Sequence, residues 1–473
     1  MNTMAPFATS VAGRDDLAST VAFDVWWAGR QKANRFEVER IPFAALDDWR
    51  FDPESGNLGH TSGRFFTIEG LHVAADGAQG AATWHQPIIH QPEIGILGIL
   101  AQRFDGELHF LMQAKMEPGN INTLQLSPTI QATRSNYTRV HRGGTTRYLE
   151  FFRGPGRGRV LVDVLQSEQG SWFWHKHNRN IVVEATGDVP EHEDFHWVSL
   201  HQLRRLLRTD NLVNMDARTV LSCMPLAPSG GPGEGAVRAA DDPFTAALLR
   251  SYGTCPRNGT DPGPPLHTTT ELLSWFTEMK TRSEWRTRLV PLSGVGTWTR
   301  TDDEITSTDG SGTFRIIGAR VKAANREVTS WTQPLLAPLE QGRAAFLARA
   351  VDGVLHLLVK AQPEPGLLDT VELAPTVQLP AAGAGGRPVP FRTEVTGADP
   401  DRVRFDTVLS EEGGRFHHAQ TRYQIIEAPQ DFPLDVPEGF CWMTVRQLME
   451  LLRHGHYLNV EARSLLACLH SLW

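Results

Sequence analysis

The chain repeats itself. Trp26, Ile41-Pro42-Phe43, Trp49 and Ser62-Gly63 recur as Trp275, Val290-Pro291-Leu292, Trp298 and Ser311-Gly312 at one constant offset. Trp84-His85-Gln86-Pro87 returns as Trp331-Thr332-Gln333-Pro334, and the run from Leu108 to Gln131 pairs with Leu355 to Gln378. Ser167-Glu168-Gln169-Gly170 answers to Ser410-Glu411-Glu412-Gly413, and Asn214, Arg218 and Cys223 answer to Asn459, Arg463 and Cys468. A spacing kept over roughly 200 residues makes two copies of one domain and excludes a solenoid, whose period is about 20 to 50 residues. Each copy can bury its own core.

Pro225 to Pro265 is broken by Pro and Gly, as in Pro228-Ser229-Gly230-Gly231-Pro232-Gly233, and cannot sustain a helix or a sheet ladder. The expected division is a first repeat over 1–225, a linker over 226–265 that carries one short helix from Asp242 to Arg250, and a second repeat over 266–473. Each copy should open with an amphipathic helix, the second behind Thr270 as N-cap. Short apolar or β-branched runs follow at Arg64 to Glu69, Leu108 to Ala114, Leu124 to Leu126, Arg159 to Leu165 and Ile181 to Glu184, which read as strands of a mainly antiparallel, curved sheet. Ser199 with Gln202, and Thr444 with Gln447, have the spacing of a capping box before a further helix, and a last helix starts at Asn214 or Asn459. The fold class is α+β, a module repeated in tandem.

With 473 residues, 40% apolar content and 21% charge, the chain reads as globular. A net charge of -8 provides no field for nucleic acid, so any anionic ligand needs a local group of Arg and Lys. Met1 to Asp16 lacks the pattern of a secretory signal, and the longest apolar stretch, around Ile94 to Ala101, is too short for a bilayer. Cys223, Cys255, Cys441 and Cys468 form no CxxC pair or framework, and a cytoplasmic setting is expected.

Polar residues kept in both copies are the ones packing does not explain. Glu117-Pro118-Gly119 matches Glu364-Pro365-Gly366, and Ser-Glu-x-Gly stands at 167 and 410. Glu117, behind a strand and two residues from Lys115, is placed for proton transfer, although Pro118-Gly119 could simply turn the chain. Ser167 to Ser171 alone is a hairpin turn; Trp172 and Trp174 beside it offer a stacking surface for a base, or core. His175 and His177 have no third ligand at a recognisable spacing, so no metal is expected. Lys176 and Arg179, with Arg134, Ser135, Asn136 and Tyr137, form a strip suited to phosphate. His85 is a possible acid or base, matched by Thr332 in the other half. Arg64, Lys115 and Asn120 become Thr313, Gln362 and Leu367, so the first copy holds the fuller polar set. Glu364, Glu411, Arg415, His417, His418, Arg422 and Tyr423 leave the second copy able to bind. Neither GxGxxG after a first strand nor GxxxxGK[ST] occurs.

Gln86-Pro87-Ile88-Ile89, Gln91-Pro92-Glu93-Ile94-Gly95, Gln113 to Asn120, Gln131 to Thr138, Gln166 to Ser171 and Val213-Asn214-Met215-Asp216 together resemble the NDP-hexose 2,3-dehydratases of deoxysugar biosynthesis. So do Trp331 to Pro334, Ser410 to Phe416 and His456 to Asn459. The resemblance covers almost the whole chain outside the termini and linker. It implies a Nudix-like fold for each repeat, a homodimer, and two nucleotide-sugar sites of which one is catalytic. The implied substrate is dTDP-4-keto-6-deoxyglucose, and a 3-ketoreductase would consume the labile product. No glutamate-rich Nudix box is visible, so metal-dependent hydrolysis is not expected to accompany the scaffold.

The C4 ketone of such a substrate acidifies C3–H. Loss of the C2 hydroxyl then needs a base at C3, donors at the C4 oxygen and an acid at the leaving oxygen, and no cofactor. Glu117 or Glu168 is the expected base, with His85 or His175 as rival base or acid. Lys115 and Tyr137 would serve the enolate oxygen. Arg134, Lys176 and Arg179 would hold the pyrophosphate, with Trp172 or Trp174 beneath thymine. Arg64, Asn120, Ser135 and Asn136 complete the expected substrate contacts. A nucleotide-sugar hydrolase and a non-catalytic binding module are the alternatives.

Overall fold

In the computed structural model the described residues are 17–76, 82–133, 146–154, 158–225, 237, 240, 242–253, 264–323, 329–380 and 388–473. Each copy opens with a helix, Leu17–Ala33 and Thr269–Arg282. The second is capped two residues earlier than the sequence suggested. Thr268 accepts from the Glu271 backbone at 3.2 Å while the Glu271 carboxylate accepts from the Thr268 backbone at 2.7 Å. Only from Thr268 does a glutamate fall at the third helical position, so the closed box fixes the start.

The next strand of each copy leaves its own repeat. Phe36–Ile41 pairs antiparallel with Phe314–Ala323 of the second copy, setting Phe36 opposite Ala323 and Ile41 opposite Gly318. Reciprocally, Glu284–Val290 pairs with Thr67–Asp76 of the first copy, Val290 opposite Gly70. The approach at both crossings excludes a side chain. A Cβ on Gly318 would lie 2.8 Å from the Ile41 carbonyl oxygen, and one on Gly70 2.9 Å from that of Pro291. Two sheets are therefore built from both halves.

The other two sheets belong to one copy each. In the first, strands run in the order Arg159–Ser167, His177–Glu184, Gly95–Phe104, Glu107–Met116 and Phe195–Ser199, with Leu124–Ser127 and Ile130–Ala132 alongside. All neighbours are antiparallel except His177–Glu184 against Gly95–Phe104. The second copy repeats this with Val403–Ser410, Gln420–Glu427, Gly342–Val351, Val354–Pro363, Val371–Pro375, Val377–Leu379 and Phe440–Thr444. Four of the expected strands are present and longer than the apolar runs suggested, whereas the one expected over Arg64 to Glu69 begins at Thr67, with Arg64 in the loop before it. The architecture is mixed α+β, with the module present twice.

Both capping boxes form as expected, on helices Leu200–Leu206 and Val445–Leu451. Asn214 and Asn459 cap the last helices, Met215–Ser222 and Val460–Leu469, which pack against each other across the two copies. The helix expected in the linker is Pro243–Ser251, capped by Asp242. Ser251 ties it down by donating to the Leu355 carbonyl at 2.5 Å. The cores also cross between copies: Ile41, Trp49, Ile68, Phe173, Ile316 and Phe416 share one cluster. Phe416 is wholly buried there, and truncation to Ala would cost about 3–5 kcal/mol. Among the described residues no helix is long and apolar enough to cross a membrane.

Candidate functional site

The two motifs shared by the repeats meet crosswise. Glu117-Pro118-Gly119 of the first copy sits on Ser410 to Phe416 of the second: Gly119 N–H donates to the Gly413 carbonyl and His418 N–H to the Gly119 carbonyl, both at 2.7 Å. In mirror fashion, Gly366 N–H donates to the Gly170 carbonyl and His175 N–H to the Gly366 carbonyl, again at 2.7 Å. His175 and His418 reach these carbonyls from left-handed backbone, φ 47° and 52°. A Cβ on Gly119 would lie 1.6 Å from the Phe416 carbonyl oxygen, and one on Gly413 2.2 Å from Asn120 Oδ1. Glycine at these positions serves backbone contact between copies.

At the first of the two centres, the Glu117 carboxylate is buried and receives Lys115 Nζ at 3.1 Å and Gln131 Nε2 at 2.7 Å. Asn120 is 1% exposed, and neither atom of its side-chain amide has a partner among the described residues. Glu168 is buried and accepts from Asn178 at 2.6 Å. Burial raises its pKa, against the pull of Arg463 and Lys176. Burial lowers the Lys176 ammonium to about 8, although Glu168 opposes this; its Nζ donates to the Glu93 carbonyl. Asp216, in the first turn of its helix, is raised well above the carboxylate range by burial and by the charges of Glu168, Glu117 and Glu412. The second copy contributes Glu412, pushed up to about 7 by burial, with Arg415 pulling down and Glu117 and Glu168 pushing up. The centre thus holds four interacting carboxyls bordered by Lys115, Lys176 and Arg415. Like-charged carboxyls set this close favour protonation of some members over others, which suits acid and base work in one place.

The second centre is chemically plainer. Glu364 accepts from Asn459 at 3.0 Å, Gln378 at 3.3 Å and the Ser171 backbone at 3.2 Å, so neutral amides replace the lysine. Glu411 accepts from Tyr423 and from Gln169 of the first copy, each at 2.9 Å. Burial raises Tyr423 well above the usual phenol range. Ser167 donates to Glu372 at 2.6 Å, and His456 stands 3.8 Å from the same carboxylate.

The structure therefore brings together Lys115, Glu117, Asn120, Glu168 and Lys176 from one copy with Arg415 from the other. Other expected residues lie elsewhere. His85 packs against His72 at 4.8 Å, and burial, His72 and Arg288 lower its pKa. Arg179 is ion-paired with Asp163 at 2.7 and 2.5 Å, an arrangement repeated by Arg422 and Asp406; in both copies the arginine is spent on its neighbouring strand. Trp172 packs in the core on Phe416 at 4.5 Å, while Trp174 stacks on His175 at 3.8 Å. His418 stacks on His417 at 3.9 Å. Arg64 is exposed in a turn. Arg415 donates to Gln91 at 3.1 Å with its guanidinium over Phe66. Arg134, Ser135, Asn136 and Tyr137 lie outside the described residues, as does Cys255. Asp216 and Glu412 were not singled out from sequence. The available signal was an acid just after both helix caps, Asp216 and Glu461, and a Glu412 that faces Gln169 in the comparison of halves.

The sequence profile of the NDP-hexose 2,3-dehydratases matches residues 20–224 and again 269–469. The chain belongs to that family. It is 52% identical over 470 residues to the dTDP-4-dehydro-6-deoxy-alpha-D-glucopyranose 2,3-dehydratase of Saccharopolyspora spinosa, covering 98% of this chain and 94% of the relative. It is 51% identical to a protein of the same name from Streptomyces violaceoruber, covering 96% and 98%, and 48% identical to one from Amycolatopsis orientalis, covering 94% and 89%. The two profile matches coincide with the two repeats, so the crosswise pair of centres joins the two matched segments of this chain.

Proposed function

We propose that this chain is a dTDP-4-keto-6-deoxyglucose 2,3-dehydratase, a hydro-lyase that gives the 3,4-diketo-2,6-dideoxy sugar nucleotide for deoxysugar supply to glycosylated natural products. The observation that carries the reading is the pair of half-buried Lys115 and buried Glu117, at 3.1 Å, in a chain of this family. The C4 ketone lets C3–H leave as a proton, and Glu117 is the base that takes it. Lys115, two residues away, donates to the oxygen on which the enolate charge develops. Tyr137 is the second donor. Glu168 is the alternative base; burial favours its protonated form, which suits it less well to accept a proton. Lys176 and Arg134 hold the pyrophosphate. Elimination is redox-neutral, and the enol left at C2–C3 tautomerises to the diketone.

Each repeat is Nudix-like, in keeping with its mixed sheet and packed helix. The second centre, with Glu364, Glu411 and Tyr423 around it, takes a nucleotide sugar without turning it over; of the other residues expected there, Arg415 and His418 stand at the first centre and Arg422 is paired with Asp406. Following the family resemblance, the enzyme is a homodimer. Its product is a labile vicinal diketone and calls for a 3-ketoreductase. Incubation with the 4-keto sugar nucleotide in deuterated water beside a coupled ketoreductase tests the reading. A 2-deoxy product carrying deuterium at C2 is expected. Release of sugar phosphate would mean hydrolysis, and unchanged substrate would mean binding alone.

A further inference from the structure

We infer that Glu412, supplied by the second repeat, is the acid that protonates the departing C2 hydroxyl at the first repeat's centre, so that the working site is shared between repeats. The inference rests on the dehydratase reading above.

Three observations converge on this centre. Gly413, next to Glu412, is locked to the Glu117 loop by the 2.7 Å bond from Gly119, and a Cβ on it would lie 2.9 Å from Glu117 Cβ and 2.2 Å from Asn120 Oδ1. The turn carrying Glu412 therefore closes directly over the expected base. Second, polar atoms converge there without protein partners. Both amide atoms of Asn120, which is 1% exposed and faces that turn, have none among the described residues, nor do the enclosed Oδ1 of Asp216 and Oε2 of Glu412. Buried polar groups are normally satisfied, so such a convergence is where a polyhydroxylated ligand would supply the missing bonds. Third, the centres differ in a correlated way. Where the first has Lys115, Asn120 and Glu412, the second has Gln362, Leu367 and Gln169. A structural turn works with glutamine, as residue 169 demonstrates; only chemistry requires an ionisable group. At these three matched positions the lysine, the asparagine and the acid occur together at the first centre and are replaced together at the second, although that centre keeps other carboxyls, Glu364, Glu372, Glu411 and Glu461, and a lysine, Lys360, on Gln362.

The step balances. Glu117 carboxylate takes the C3 proton, and the C–H electron pair forms the enolate on the C4 oxygen. As the enolate collapses, the C2–O bond breaks and its electrons take the proton of the Glu412 carboxyl, releasing water. Glu117 is then protonated and Glu412 ionised. The product enol loses its hydroxyl proton and gains one at C2, and return of the Glu117 proton to Glu412 resets both groups. The two carboxyls already act electrostatically on each other, and a value of about 7 leaves Glu412 able to give its proton near neutrality.

Glu412→Gln is the decisive variant, since glutamine is what the other copy carries at this position. With the acid gone and the base kept, the variant should still exchange C3–H of the 4-keto sugar nucleotide for deuterium, read by proton NMR. Its elimination should fall about 10²–10⁴-fold in a protein that still melts cooperatively as one unit. Full elimination overturns the inference. So does joint loss of exchange and elimination in the folded variant, which would place Glu412 with the base. If Glu412→Gln does not fold, Glu412→Asp serves: slowed elimination with intact exchange supports the assignment, and both at wild-type rates overturn it. A wild-type protein that neither exchanges nor eliminates overturns the dehydratase reading itself, and this inference with it.

Discussion

Arg218 of the first repeat donates to the backbone carbonyl of Ser410 in the second, at 2.9 Å, and is wholly buried. Its counterpart Arg463, 1% exposed, donates to the carbonyl of Ser167 and, through Nε at 2.8 Å, to Thr219. Each Ser-Glu-x-Gly turn is thus held by the other repeat's last helix. The same turn lies against the other repeat's Glu-Pro-Gly loop, so each centre is assembled from both halves.

Removing one arginine leaves carbonyls in the interior without donors, at about 1–3 kcal/mol for each group left unmet. Arg463→Met should lower the melting temperature and keep one cooperative transition for both repeats, as measured by calorimetry. Two separate transitions would contradict the coupling.

Gly119→Ala sets a methyl group 1.6 Å from the Phe416 carbonyl oxygen, where the backbone must move and both cross-repeat bonds of Gly119 are strained. The expected cost is about 3 kcal/mol or more. Gly29, in the first helix, has nothing within 4 Å of a Cβ, so Gly29→Ala should stabilise by about 0.5–1 kcal/mol. Denaturant melts of the two variants should move in opposite directions.

Glu117→Gln keeps the shape of the side chain and its place beside Lys115 and Gln131 while removing the base. Turnover should fall about 10²–10⁴-fold, and dTDP affinity by calorimetric titration should change little. Near-full turnover would move the base to Glu168.

The duplication, the main helices and five strands of the first copy were legible because they rest on local chemistry: caps at Ser199, Asn214, Thr444 and Asn459, and apolar runs bounded by Gly and Pro; strands such as Ala82–His90 and Phe195–Ser199 were not singled out. The exchange of Phe36–Ile41 and Glu284–Val290 was not. An alternating strand states which face is buried but not which neighbour it pairs with, and the two sheets on offer are near copies. Polarity shared by the two copies led to Glu117 and Glu168, and the basic strip led to Lys176 but also to Arg179, whose charge is accounted for by a cross-strand ion pair with Asp163, repeated as Arg422 with Asp406. Glu412 and Asp216 escaped because their meaning depends on the other repeat closing over them.

The acid assigned to Glu412 must be protonated to act. Facing it are Arg415, which favours ionisation, Glu117 and Glu168, which oppose it, and Lys115. The rate of elimination should therefore fall as pH rises through about 7, and that limb should be absent from the residual activity of Glu412→Gln. The stability linkage runs the same way. A carboxyl raised on folding from 4.5 to about 7 binds its proton more tightly in the folded state. Its contribution is whole below 4.5 and is lost as pH rises toward 7, so the wild type should lose stability relative to Glu412→Gln across that window. Parallel urea melts at several pH values would check this; a constant difference would leave Glu412 without a shifted titration.

Strand exchange makes a further demand on the chain. Without Glu284–Val290, the strand Thr67–Asp76 loses one of its two long neighbours, and without Phe314–Ala323 the strand Phe36–Ile41 has no sheet to join. A fragment ending near residue 253 would expose both an open edge and a stranded β-segment, the arrangement that promotes aggregation. The helix Val460–Leu469 would also be missing, which removes Arg463 from the Ser167 turn and the partner of Met215–Ser222. Each half expressed alone should therefore be insoluble or unfolded, although each is long enough to hold a core. Co-expression of 1–253 with 264–473 should yield a folded complex that regains activity, assayed with the coupled ketoreductase. Halves that fold and melt independently would show that the crossings contribute little to stability.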